Sequence, residues 1–127
     1  MTGYSIGTNS DEASREIIIG YDNIENDGQI DIEKVIADTE NQGVVDNFLM
    51  IYLNKEKIID TNQNLDKPDV HISVVSPKQS TSLIDSILWF KNEGAVIAIR
   101  SGESWDRVDY FEINKSDANY IKEQIEY

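Results

Sequence analysis

The sequence predicts one α+β domain, a mostly antiparallel sheet of about five or six strands with two or three helices packed on one face. Three observations lead there. Short β-branched or alternating apolar runs recur along the chain, the mark of strands. Between them stand segments with apolar residues at i, i+3 and i+4, bounded by capping residues or glycine, the mark of helices. The 127 residues contain no linker-like stretch, and that length can bury one core without staples.

Taken in order, residues 1–14 hold Gly3, Gly7, Asn9, Ser10 and Asp11 and read as a loose N-terminal arm, with the domain occupying 15–127. Ile17, Ile18 and Ile19 make Arg15 to Tyr21 a buried strand. Asp27-Gly28 is the turn signal of a polar loop over 22–31. Ile32, Val35 and Ile36 then fall at helical spacing, so a short helix is expected from about Asp31 to Glu40, stopped by Gly43.

Residues 44–60 admit two readings. Val44, Val45, Phe48, Leu49, Tyr52 and Leu53 fit a helical stripe. Phe48 to Leu53, then Asn54 to Lys57, then Ile58-Ile59 also read as a hairpin, and the hairpin is taken. Thr61 to Asp69 is a loop. Val70, Ile72 and Val74 alternate with His71 and Ser73 in a half-buried strand ended by Pro77.

Ser82-Leu83-Ile84-Asp85 has the spacing of a capping box with Asp in place of Glu. Leu83, Ile84, Ile87 and Leu88 follow at helical spacing, and Gly94 stands where a C-terminal glycine belongs, so a helix is expected. Ala95 to Ile99 is apolar on both faces and reads as a central strand. Ser101 to Ser104 is a turn. Trp105 to Ile113 is the partner strand, and the spacing of Val108, Tyr110, Phe111 and Ile113 suggests a bulge or strong twist. Asn114 caps a last helix, with Asp117 at its third position and Ala118, Ile121 and Ile125 as its buried stripe.

Charge narrows the function classes. Asp plus Glu number 24 against 11 Lys plus Arg, a net charge of −13. Such a charge repels phosphate backbones and anionic membranes, and the cations are scattered without a basic patch. Neither direct nucleic-acid binding nor membrane association is expected. The lack of cysteine excludes a disulfide scaffold, a zinc–thiolate site and a thiol nucleophile. Met1 to Ser14 has no apolar core of a signal peptide, and Phe48 to Leu53, the longest apolar run, is too short to span a bilayer. A cytoplasmic location is the default expectation.

Few motifs carry chemistry. Asn23 to Lys34 resembles the calcium loop of the EF-hand family, with Glu25, Asp27, Gly28, Ile30 and Asp31 at matching positions. Position 1 is Asn23 rather than Asp. Lys34 stands where the family needs a bidentate Glu, Glu33 comes one residue early, and the incoming segment is strand-like. The alternative is a solvated acidic turn that opens a helix, with Asp31 at the positive end of its dipole. No metal and no cofactor is expected. His71 is the only histidine. With Asp69 and a serine it could form a relay, but no Gly-x-Ser-x-Gly elbow accompanies it, and a surface histidine is the simpler reading. Asp106, Asp109 and Glu112 could flank a cleft as glycosidase carboxylates do, but among 24 acids such neighbours arise by chance. The chain is not expected to be an enzyme.

Residues 22–40 carry seven acids against Lys34, and residues 103–112 carry four against Arg107. Trp105, beside Asp106 and Arg107 near a hairpin turn, is either an interface anchor or a ring folded over the sheet. Trp89 reads as core.

In size, acidity and class the chain resembles the immunity proteins of bacterial polymorphic and contact-dependent toxin systems. No motif carries the likeness, and no residue roles follow from it. It implies an acidic protein that neutralises a basic partner, a nuclease-type toxin domain, by pairing carboxylates with the Lys and Arg that hold nucleic acid. The charge pattern nominates Glu25, Asp27, Asp31, Glu33 and Asp38 as partner-binding residues, then Glu103, Trp105, Asp106 and Asp109. A phage-type inhibitor that mimics nucleic acid and a small hydrolase are the alternatives.

Overall fold

Among the described residues, segments of alternating or continuous apolar side chains lie extended and pair into one antiparallel sheet, and two helices complete an α+β domain. The computed structural model describes residues 13–26, 28–58, 67–100 and 108–125. The expected N-terminal arm lies outside these except for Ala13 and Ser14. In chain order the elements are β1 (Glu16–Asp22), β2 (Ile30–Ala37), α1 (Asp38–Leu53), β3 (Glu56–Lys57), β4 (Val70–Ser76), β5 (Thr81–Lys91), β6 (Gly94–Arg100), β7 (Val108–Asn114) and α2 (Lys115–Ile125). The sheet runs β2-β1-β4-β5-β6-β7-β3, with every neighbouring pair antiparallel. Among the described residues the sheet has seven strands, where about five or six were expected.

The connection through α1 shapes the molecule. β2 and β3 are the two outer strands, so α1 must carry the chain from one edge to the other. Its 16 residues rise about 24 Å, and six strand spacings span about 29 Å. The helix therefore crosses nearly the whole face. Val45, Phe48, Ile51 and Tyr52 are its buried residues. They join Ile17, Ile19, Ile72, Val74, Leu88 and Ile97 from the sheet, and Ala118, Ile121 and Ile125 from α2, in one core. The Phe48 and Tyr120 rings meet edge to face, with centroids 6.0 Å apart.

One polar chain is sealed in that core. The Ser86 hydroxyl donates to the Ile72 carbonyl at 2.6 Å, which leaves the Tyr52 hydroxyl to donate to Ser86 at 2.6 Å. Burial raises the pKa of the Tyr52 phenol above its ordinary value of 10.0, against a smaller lowering by the Ser86 bond.

Three sequence expectations need correction. The helix expected over 31–40 is β2 followed by the start of α1. On β1, Ile19 faces Lys34 and Gly20 faces Ile32, so Glu33 is an extra residue, a β-bulge. The bulge shifts the alternation by one, and the Ile32-to-Val35 step of three then imitates a helix. The hairpin expected over 44–60 is mostly α1, whose helical stripe prevails over the β-propensity of Phe48 to Leu53. A kink at Asn41, with φ −151 and ψ 70, separates its first turn from the rest, so Gly43 lies inside the helix instead of ending one. The helix expected from Ser82 is β5, whose apolar residues serve both faces of the sheet. In addition, β7 pairs with β6 in unbroken register, so of the bulge or strong twist expected no bulge occurs within Val108–Asn114; its apolar residues also serve both faces. The last helix is as read: the Asn114 Oδ1 accepts the Asp117 N–H at 2.8 Å.

Candidate functional site

Both helices contribute to the core on one face of the sheet; among the described elements no helix packs on the other. Alternation decides what that second face presents. β1 places Ile18, Gly20 and Asp22 there, β4 places His71, Ser73 and Val75, and β5 places Asp85, Ile87 and Trp89. β6 and β7 add Val96, Ala98, Arg100, Val108 and Tyr110.

Two adjoining hollows occupy this face, and His71 lines both. The larger, about 440 Å³, lies over β2, β1, β4 and β5. Its apolar half is Ile18, Ile30, Ile32 and Val75, and its polar half centres on Asp85. The Asp85 Oδ1 accepts the hydroxyls of Ser73 and Ser82, each at 3.0 Å, and Oδ2 accepts the Arg100 guanidinium. The Ser82–Asp85 spacing that imitated a capping box has a different use. Val75 faces Ser82 and Val74 faces Ile84, so Leu83 is a bulge, and residues three apart reach the same face.

The smaller hollow, about 300 Å³, lies over β4 to β7 with Asp22 of β1 at its margin. Trp89 packs with Val96 and Ala98, and Ile87, Val108 and Tyr110 close around it. Ile58, just past β3, donates its N–H to the Tyr110 carbonyl at 2.9 Å and packs on the same cluster. Beside this wall the His71 Nε2 and Asp22 Oδ1 lie 2.7 Å apart.

The β1–β2 hairpin borders the larger hollow. Four aliphatic side chains stand out along it: Ile24, Ile30, Ile32 and Val35 are 97%, 42%, 62% and 48% exposed. A Cβ on Gly20 would come within 2.7 Å of the Ile30 side chain, so the glycine lets Ile30 lie across β1. Among the described residues β2 is also an outer strand, with no strand paired to its second hydrogen-bonding edge.

Of the residues nominated by charge, the described ones do not form one patch. Glu25 is exposed in the hairpin turn, where its N–H meets the Asn23 Oδ1. Asp31 and Glu33 are exposed on β2, and Asp31 accepts the Asn23 amide at 3.0 Å. Asp38 opens α1 and accepts the Ser14 N–H at 3.1 Å. Asp109 lies on β7, five strands from β2, and faces Lys57 at 3.7 Å. Asp27, Glu103, Trp105 and Asp106 lie outside the described residues.

The chemical motifs are also reassigned. The segment resembling a calcium loop joins two strands, its Asn23 Oδ1 accepts the N–H groups of Glu25 and Asn26, and Lys34 donates to the Gln124 carbonyl. Among the described residues no three potential ligands group as a metal site would require. His71 pairs with Asp22 instead of Asp69, whose carboxylate accepts the Phe90 N–H at 2.7 Å. Asp109 and Glu112 stand three apart on a strand without a bulge, so they point to opposite faces and do not share a cleft. Trp89 is core as read, buried with Val96 and Ala98, but it stands on a strand and not a helix, and it also lines the smaller hollow.

Among the described residues no helix is long and apolar enough to cross a membrane. No family model, curated protein or solved structure matches the chain.

Proposed function

We propose that this chain is a non-catalytic, acidic binding protein that neutralises a basic protein partner, in the manner of a cytoplasmic immunity protein covering a nuclease-type toxin. The observation that carries the reading is the β1–β2 hairpin. It sets exposed Ile24, Ile30, Ile32 and Val35 close to Glu25 and Glu33, while Asp31 lies on the other side of β2. Aliphatic side chains held out beside carboxylates suit an interface core bordered by a charged rim. The net charge of −13 favours a cationic partner and speeds its approach.

The direct test is titration of the basic protein encoded in the neighbouring reading frame against the full chain, at low and at high salt. Affinity falls steeply with salt, Ile32→Asp weakens the complex, and excess chain suppresses the partner's activity. Binding indifferent to salt and unchanged by Ile32→Asp overturns the reading.

A further inference from the structure

We propose that the tip of the β1–β2 hairpin enters a recess on the basic partner, the cationic cleft in which that partner holds nucleic acid, with Ile24 as the inserted side chain. The inference rests on the docking reading above and specifies which part of the partner the hairpin meets.

The tip is convex, apolar and braced. Ile24 is 97% exposed, so it makes almost no contact with its own fold. It is not an isolated case, because Ile30, Ile32 and Val35 continue the exposed aliphatic surface along β2. The turn that carries Ile24 is nevertheless held by its own bonds. The Asn23 Oδ1 accepts the N–H groups of Glu25 and Asn26, each at 2.8 Å, and its Nδ2 donates to the Asp31 carboxylate at 3.0 Å. The main chain closes the loop, with the Asn23 N–H donating to the Gln29 carbonyl at 2.9 Å and the Gln29 N–H to the Asn26 carbonyl at 3.2 Å. One asparagine thus ties the turn around Ile24 to the returning strand. A tip held in one shape loses less freedom on binding, so more of its apolar contact appears as affinity.

A protruding tip buries its end only in a concave surface, and charge selects which one. Residues 22–33 contain Asp22, Glu25, Asp27, Asp31 and Glu33 and no Lys or Arg. Glu33 stands with the aliphatic side chains and Asp31 on the other side of β2, so a hairpin seated in a cleft presents carboxylates to both walls. Ile24 reaches the floor only where the walls accept them. A cleft that binds nucleic acid meets both demands: cations along its walls hold phosphates, and apolar or aromatic surface between them receives bases. The carboxylates take the phosphate positions and Ile24 that of a base. An anionic membrane repels the same carboxylates, and a second copy of the chain presents the same charge.

The test uses the full chain, the basic protein encoded in the neighbouring reading frame, and a phosphorothioate DNA oligonucleotide, which resists cleavage, as competitor. The oligonucleotide displaces the chain competitively. Ile24→Ser weakens the complex about tenfold, the scale of one aliphatic side chain left unburied. Asn23→Ala, which keeps Ile24 but frees the turn, also weakens it. Thermal melts check that both variants keep the fold. The chain has no cysteine, so Asn26→Cys places a single benzophenone label beside the tip, and its photo-cross-links fall within the partner's cleft. Displacement that is not competitive, cross-links outside the cleft, or parent-like affinity of Ile24→Ser each overturns the proposal. If salt and Ile32→Asp still weaken the complex in that case, the docking reading stands and only the insertion is wrong. Binding of the chain to phosphatidylglycerol vesicles, or self-association in sedimentation equilibrium that Ile24→Ser abolishes, overturns it in favour of a membrane or a second copy.

Discussion

Two residues show how tightly this sheet constrains single positions. Gly94 opens β6 at φ +149, a conformation that L side chains rarely adopt, and an added Cβ would stand 2.1 Å from the Ile113 carbonyl oxygen. Gly94→Ala combines backbone strain with a clash against main chain, so it destabilises the fold by about 3 kcal/mol, measured by denaturant unfolding. Tyr52 is held by burial and a single hydrogen bond. Tyr52→Phe costs about 1 kcal/mol at neutral pH, because Ser86 keeps its bond to Ile72. The same pair gives a pH signature. A raised phenol pKa means that the folded chain keeps the proton that the unfolded chain releases. That contribution is whole below pH 10.0 and is lost as pH rises above it, so alkaline destabilisation is weaker in Tyr52→Phe than in the parent.

At the scale of elements, β2 is the informative case. As a helix, Ile32, Val35 and Ile36 would share one face. As a strand with a bulge at Glu33, Ile32 and Val35 face solvent while Ile36 enters the core. Ile36→Ala therefore costs about 2–4 kcal/mol, whereas Ile32→Ala stays within about 0.5 kcal/mol. Equal effects at the two positions in thermal melts would contradict the strand.

The same element explains where sequence reading succeeded. β1 and β6 were legible from unbroken apolar runs, β4 from alternation and α2 from a capped stripe. β2 and β5 each contain a bulge, so the local period misleads in both, whereas in α1 the helical stripe was legible and the β-propensity of Phe48 to Leu53 was given more weight. A bulge is a property of pairing with a strand distant in sequence, and no window of ten residues contains that partner.

For the whole molecule, charge and shape act on different steps of binding. Long-range attraction sets association, and packing sets dissociation. Neutralising Asp31 and Glu33 to Asn and Gln lowers the association rate of a basic partner at low salt about tenfold and has little effect at high salt. Ile32→Asp instead raises the dissociation rate at both, which stopped-flow and surface-based kinetics separate. The nominated acids also show what charge counting misses. Asp31 and Asp109 look alike in sequence, but on strands five places apart in the sheet they stand about 24 Å from each other. The second face itself, with Trp89, Tyr110, His71 and Asp22, drew no combined signal, because its members come from four different strands.

By itself the sequence determined the α+β class, the acidic field, the absence of thiol chemistry and the elements whose periodicity is unbroken. Those are properties of composition or of neighbours along the chain. Tertiary structure alone decided the phase of β2 and β5, the face on which each side chain emerges, and the pairing of His71 with Asp22 across 49 residues. The physical reason is that a strand's facing is set by its hydrogen-bonded neighbours, and here those neighbours arrive from elsewhere in the chain.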